Sequence, residues 1–415
     1  METNLIVLGA SLVVIASFFF NYLSSKSNIP SVLMLMVLGY ILGQFVEIPE
    51  GDLKAVLPAL GTVGVILIVL EAALDIKLSR EKTPILWRSL VLSIVLLMLT
   101  AGLSSLIMMP LFDMSFSIAL LYSIPLAVMS SAIIIPSVQS LLEHKKEFMV
   151  FESAFSDIFG IVAFYVLAGA LEGGDGMSIG FAGGQIGKLV LTLLIGVGAS
   201  YGLIMAFPLL KGHVRLFLLI AALIALYTAG KLIFHLYGAL FIILIFGLVI
   251  ANKELFFRGP LASWLNKKKV EEIYHGLHVV TLESAFVVRT FFFVIFGITI
   301  VFSSLASFKV AAISALCLAV IYIVRWILLR VAIGKDILPQ LFIAPRGLIT
   351  VLLYYAIPTE AKSEGFSEGI LLFIIIGTSL IMTWTMIADK RRANVALGKA
   401  KNVAVTEVKW KAPEV

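Results

Sequence analysis

Apolar residues fill this chain in long blocks, with the polar residues gathered between them. A block of about 18 or more apolar residues has the length an α-helix needs to cross a hydrocarbon core near 30 Å thick. Thirteen blocks can be read, over residues 3–22, 29–46, 55–76, 89–109, 115–140, 148–170, 183–207, 214–230, 234–251, 278–303, 310–329, 339–357 and 368–388. Only Lys231 and His235 interrupt the stretch 214–251, and merging those two spans would put both termini on one side. The pattern predicts an all-α polytopic membrane protein.

Two spans carry interruptions. The fifth has Pro125 and Pro136 around Ser130-Ser131, and the twelfth has Ala344-Pro345-Arg346-Gly347. Proline removes a backbone donor and disturbs the preceding turn, which frees carbonyls to face a cavity. Secondary transporters are often built from inverted repeats whose binding site uses such broken helices at the midplane. With spans 1–6 and 8–13 as the repeats and span 7 linking them, the breaks in spans 5 and 12 occupy equivalent positions. The expected fold is two inverted repeats with two broken, crossing helices.

Charge supports the count. Lys and Arg concentrate in cytoplasmic loops, and an outside N-terminus places on the cytoplasmic side Lys26, Lys77, Arg80, Lys82, Arg88, Lys145, Lys146, Lys211, Arg215, Lys253, Arg258, Lys267, Lys268, Lys269, Arg330, Lys335 and the basic tail 389–415. The other side keeps Lys54, Lys231, Lys309 and Lys362, with acidic loops at 47–52 and 172–175. This orientation suits a bacterial inner or plasma membrane, with the C-terminus cytoplasmic. The first span lacks the basic start and small-residue cleavage site of a signal peptide. At 61% hydrophobic and 13% charged residues the chain does not fit a soluble class, and its +6 net charge follows from topology without a nucleic-acid partner. Cys317 is alone, which excludes a disulfide framework or thiolate metal site. The 252–277 segment, with Lys267-Lys268-Lys269-Val270-Glu271-Glu272, is expected to be an interfacial helix or linker.

Chemistry centres on span 6, Glu152-Ser153-Ala154-Phe155-Ser156-Asp157. A carboxylate inside the membrane costs roughly 2.5–3.5 kcal/mol on insertion scales and is a functional residue by default. At 100° per residue, Ser153 and Asp157 share one helix face and Glu152 and Ser156 another. A hydroxyl and a carboxylate one turn apart suit a hard monovalent cation, and a desolvated carboxylate exchanges one proton for one such ion. The bland reading makes Asp157 an interhelical hydrogen-bond acceptor. Glu152 needs a compensating charge and reads as a structural brace, with Arg325 in span 11 and Arg346 in span 12 as its possible partners. Glu71 either lines the cytoplasmic approach or sits at the interface.

Other features read as structural. Glu283 and Arg289 are six apart and do not face each other on one helix. The repeat of Glu-Ser-Ala-Phe at 152–155 and 283–286 falls on spans that are not equivalent. His275 and His278 lack a nearby third ligand and read as an interfacial pair, while Gly39, Gly43, Gly196 and Gly198 suit close helix packing.

Together these residues resemble the monovalent cation/proton antiporter superfamily, its sodium/proton exchangers in particular, from Asn28-Ile29-Pro30-Ser31 to the last span. Glu152-Ser153-x-x-Ser156-Asp157 is similar to the family's Glu-Ser-x-x-Asn-Asp, with further likeness in Leu70-Glu71-Ala72-Ala73-Leu74, Arg325 and Ala344-Pro345-Arg346-Gly347-Leu348. The resemblance implies a moving core of spans 4–6 and 11–13 (77–171 and 304–388) against a dimerising scaffold of spans 1–3 and 7–10 (1–76 and 172–303). It also implies Asp157 as shared cation and proton carrier, Ser153 as a ligand, Ser131 and its neighbour Ser130 at the break, Ser156 in the motif, Glu71 in a water-mediated contact, and Arg325 paired with Glu152. Two positions depart from the pattern. Ser156 replaces the usual Asn, and Ala132 stands where many exchangers have Asp; Ser130-Ser131-Ala132 is similar to the potassium/proton branch. The expectation is a homodimeric antiporter, not an enzyme, exchanging Na⁺ or K⁺, with Li⁺ as a further ion, for H⁺, electroneutrally and without a cofactor. The alternatives are a cation-coupled symporter of an organic solute, or a membrane sensor or enzyme, for which the sequence holds no His-Glu-x-x-His or Gly-Tyr-Gly-Asp motif.

Overall fold

The computed structural model describes residues 2–27, 29–45, 50–78, 81–172, 179–206, 215–233, 239–257, 267–299, 307–363 and 365–407. Of the positions discussed above, Asn28, Arg80, Lys211, His235, Arg258, residues 47–49 and 173–175 of the acidic loops and residues 408–415 of the tail lie outside these residues. Among the described residues all regular structure is helical: α1 Glu2–Ser27, α2 Ser31–Gly43, α3 Glu50–Asp75, α4 Thr83–Phe112, α5 Phe116–Ala127, α6 Ser131–Ser137, α7 Glu143–Glu172, α8 Ile179–Ala206, α9 Arg215–Ile233, α10 Leu240–Ala251, the single turn α11 Lys253–Phe256, α12 Lys267–Thr299, α13 Phe308–Ala332, α14 Leu348–Tyr355 and α15 Glu368–Glu407. Each of the thirteen expected spans has a helical counterpart among them. Seven described helices are long and apolar enough to cross a bilayer alone, and four more are shorter apolar helices.

Helix ends follow local chemistry. α4 starts six residues before its apolar block, with Pro84 in the first turn, where the missing N–H has no helical partner to lose. It stops at Asp113, whose φ of 51° is a left-handed conformation that Asp tolerates. The expected interfacial helix at 252–277 is a different object: from Lys267 onward it is the beginning of α12, continuous into span 10. Val270, Ile273, Tyr274 and Leu277 form a buried i, i+3, i+4, i+7 stripe, so the helix gains packing before it reaches the membrane block. The tail likewise continues α15 as helix to Glu407.

The helices pack in two groups. In one, α12 lies along α2 and α3, α10 lies between α3 and α8, and α1 touches α2 and α12. In the other, α4 packs on α5, α7 and α13, and α13 packs on α15. α14 and α7 contact α3 and so join the groups. Apolar side chains at Leu8, Leu12, Phe18 and Phe19 of α1, Val91, Met98 and Leu106 of α4, and Ile323 and Ile327 of α13 are exposed, as a lipid-facing surface requires.

Close packing between α2 and α12 depends on two glycines. A Cβ on Gly39 would run into the Val294 carbonyl, and one on Gly297 into the Met36 carbonyl. Gly196 sits similarly close to Ile242 and Ile245 of α10, whereas a Cβ on Gly198 would meet nothing within 4 Å among the described residues of the chain. Gly39→Ala should lower stability by about 1–3 kcal/mol through overpacking against backbone. Thermal unfolding in detergent should show a lower midpoint for Gly39→Ala and none for Gly198→Ala; equal midpoints would remove the close-approach argument.

Candidate functional site

Span 5 breaks between Ala127 and Ser131, with Val128 and Ser130 extended. The prolines lie inside the two halves and not at the break itself. Span 12 passes through the non-helical residues 343–347 between a single tight turn, 340–342, and α14, so only its second half is a true helix. The two breaks cross in direct contact, and Ser130 N–H donates to the Pro345 carbonyl at 2.9 Å. Gly347 makes the crossing possible, since a Cβ there would sit 2.6 Å from Ser130 Oγ.

Five of the backbone groups released by the break have named partners. In a continuous helix the N–H groups of Met129, Ser130 and Ser131 would bond to the carbonyls of residues 125, 126 and 127. Here Met129 N–H donates to Ser156 Oγ at 3.0 Å and Ser131 N–H to Asp157 Oδ2 at 3.1 Å. The Leu126 and Ala127 carbonyls accept from Arg346, at 2.8 Å to Nε and 3.1 Å to Nη2. Arg346 also donates to the Ala344 carbonyl at 2.6 Å, and its own N–H donates to Thr378 Oγ1 at 3.0 Å. Two side chains of α7, the Pro345 carbonyl and one arginine thus pair these five groups in place of a turn of helix, as buried backbone polar groups require.

This arrangement revises one expectation. Arg346 makes no ion pair with Glu152, because its donors are committed to three carbonyls. Arg325 takes Glu152 instead, with Nη1–Oε1 at 2.6 Å and Nη2–Oε2 at 2.9 Å, and also donates to the Gln340 carbonyl. Both side chains are almost fully buried, at 2% and 0% exposed. Two parallel bonds match the planar guanidinium to the carboxylate.

With Glu152 neutralised, Asp157 is the buried acid left without a basic partner among the described side chains. Its Oδ1, like Ser131 Oγ beside it, makes no hydrogen bond of standard geometry. Ser153, one turn before it, is fully buried and donates to the Val150 carbonyl at 3.1 Å, which leaves its oxygen lone pairs available as acceptors. Ser130 packs against Gly347 and Ser156 holds the Met129 amide, so these two shape the break. A cavity of about 10 Å³ lies on one side of the break, lined by Glu71, Ser131, Ala132, Ile135 and Arg289. Another of about 10 Å³ lies on the other side, lined by Thr100, Met129, Ser156, Arg325 and Arg346. Each has room for about one water. Ile135 also borders a cavity of about 280 Å³ lined by Asp75, Lys82, Gln139, Lys146 and Glu147, so polar space reaches to within about one turn of Ser131.

Glu71 lines the small cavity beside Ser131, and its carboxylate accepts from Arg289 Nη2 at 3.2 Å. Arg289 had no partner in the sequence reading, since helical spacing tests only partners on the same helix and Glu71 is 218 residues away. The signal available was the arginine itself, a charge inside a span that demands compensation. The two histidines separate: His275 pairs with Glu271 at 2.9 Å and His278 with Asp75 at 2.8 Å. Among the described residues no group of three His, Cys, Asp or Glu stands together as a metal site.

The fold is similar to that of the sodium proton antiporter MjNhaP1 from Methanocaldococcus jannaschii at pH 8, with a TM-score of 0.67 and 21% identity over 94% of this chain and 99% of that one. An electron-microscopy map of the same antiporter matches with a TM-score of 0.65 and 18% identity over 100% of both chains. At these identities the likeness concerns the fold. No curated relative matches by sequence. The family model described as sodium/hydrogen exchanger, transmembrane, matches residues 12–388, and the chain belongs to that family.

Proposed function

We propose that the protein is a secondary active antiporter that exchanges one monovalent cation, Na⁺ or K⁺, for one proton at Asp157. The observation that carries this reading is the state of that carboxylate: buried, with one oxygen bonded to the Ser131 amide at the break and the other, close to Ser131 Oγ, making no hydrogen bond of standard geometry. A proton or a cation completes the charge, and one site cannot hold both, so exchange follows from competition. One charge for one charge makes the cycle electroneutral. Ser131 Oγ and the Ser153 lone pairs offer neutral oxygens to the same ion, and the water-sized cavity favours an ion over an organic solute. Na⁺ is favoured by the sodium named for the family and for its structural neighbour, and K⁺ by the Ser130-Ser131-Ala132 pattern.

The two packing groups support residues 77–171 and 304–388 as a core that moves against a scaffold of 1–76 and 172–303. The broad cavity bordered by Ile135 then opens on the cytoplasmic side, with the N-terminus outside, the tail 389–415 inside and a second copy joined through the scaffold. Proteoliposomes with an imposed pH gradient test the reading. Added Na⁺ should dissipate the gradient, with K⁺ and Li⁺ ranking the selectivity, and clamping the membrane potential should leave the rate unchanged. A rate that tracks potential would overturn electroneutrality, and no response to any cation from folded protein would overturn antiport.

A further inference from the structure

Arg289 is the charged residue that this mechanism does not use. It sits on α12, in the group that holds α2 and α3, and reaches across to α6 of the other group. Its Nη1 donates to the Ala132 carbonyl at 3.2 Å while its Nη2 holds Glu71. The Ala132 carbonyl is available because its helical donor would be the amide of residue 136, and Pro136 has none. Arg289 Nε, although buried, has no hydrogen-bond partner, so the guanidinium is fixed by those two contacts. The same small cavity is bordered by Arg289, Glu71 and Ser131, the residue whose amide bonds to Asp157.

We propose that Arg289 is a positioning residue that acts as a cation-displaced latch. A cation arriving from the broad cavity takes the Glu71 carboxylate from the guanidinium, which loses one of its two anchors. Its hold on the Ala132 carbonyl weakens with it, and α6 is released from α12 as the ion passes to Asp157. Cation entry and core release are thereby coupled at one side chain. Glu71 is then a transfer station contested by an internal cation, and not a standing ligand of the bound ion. The proposal rests on the antiport reading above.

Because a brace and a latch answer differently to loss of each partner, the apparent KM for Na⁺ in reconstituted, full-length protein separates them. Removing either half of a brace lowers folded yield in the same direction and moves KM little. For a latch the two halves move KM oppositely. Arg289→Gln leaves Glu71 open to the cation and should lower KM by roughly threefold to tenfold; Glu71→Gln leaves an uncompensated positive charge on the route and should raise it by a similar roughly threefold to tenfold. Arg289→Lys keeps the charge and should stay near the wild-type KM. Shifts in the same direction, no shifts, or a lysine variant that behaves like the glutamine one would each overturn the latch. Should Arg289→Gln yield no folded protein, Glu71→Gln decides alone, and an unchanged KM there overturns it. Wild type and Asp157→Asn run alongside: absence of Asp157-dependent flux in wild type counts against antiport, whereas normal flux without the KM split counts against the latch only.

Discussion

Asp157→Asn is expected to abolish cation-driven proton movement while the protein stays folded. The amide has nearly the shape of the carboxylate, and its Oδ1 can accept the Ser131 amide bond that Asp157 Oδ2 now takes at 3.1 Å. It neither binds a proton in the relevant range nor carries the negative charge a desolvated cation needs. A hydrogen bond to a charged group contributes up to about 3 kcal/mol, and each 1.36 kcal/mol is tenfold, so exchange should fall by roughly a hundredfold or more. Folded yield and unfolding temperature should hold, since the amide keeps the Ser131 bond and needs neither a proton nor a cation to complete it. Proton flux in proteoliposomes and size-exclusion profiles of the purified variant check both halves. Cation-specific proton flux that survives the substitution would remove Asp157 from the centre of the mechanism.

The contrast between Asp157 and Arg346 shows what could be read before the fold was known. Asp157, Ser153 and the span that carries them follow from helical spacing inside an apolar block, which is local information. The same holds for the span 12 break at Ala344-Pro345-Arg346-Gly347 and for the freed carbonyl at Ala132, which Pro136 alone dictates, whereas the span 5 break is only bracketed by Pro125 and Pro136, each of which lies within a helical half. Partners across the fold are another matter. Glu152 needs a cation, and charge compensation alone leaves both Arg325 and Arg346 open, with only the family resemblance pointing to Arg325. The crossing of the breaks supplies the physical reason, because it presents Arg346 with the open carbonyls of Leu126 and Ala127 and leaves Arg325 for the carboxylate. Arg289 was invisible as a partner of Glu71 for the same reason. The continuity of α12 is hidden for a different one: Lys267-Lys268-Lys269 suggests an interfacial helix or linker separate from span 10, yet the buried stripe Val270, Ile273, Tyr274 and Leu277 carries the helix through it.

Arg325→Ala should remove most of the folded protein. Glu152 is fully buried, and its carboxylate is matched by two short bonds from Arg325, which also closes the Gln340 carbonyl at the entrance to the span 12 break. Deleting the arginine strands a buried negative charge and leaves that carbonyl with fewer donors. Removal of one partner from such a pair costs about 3–5 kcal/mol, a large part of the roughly 5–15 kcal/mol by which a domain is stable. Arg325→Lys should recover little, because an ammonium cannot reproduce the planar, two-pronged geometry. The double variant Glu152→Leu with Arg325→Met should recover more than either single change, since replacing a buried pair by apolar side chains of similar volume is often neutral or stabilising. Detergent-extracted yield and unfolding temperature of Arg325→Ala, Arg325→Lys, the double variant and its two single parents read this directly. A single Arg325→Ala protein with normal yield and an altered cation KM would reverse the assignment, and would move the pair from the frame that holds the break into the ion site itself.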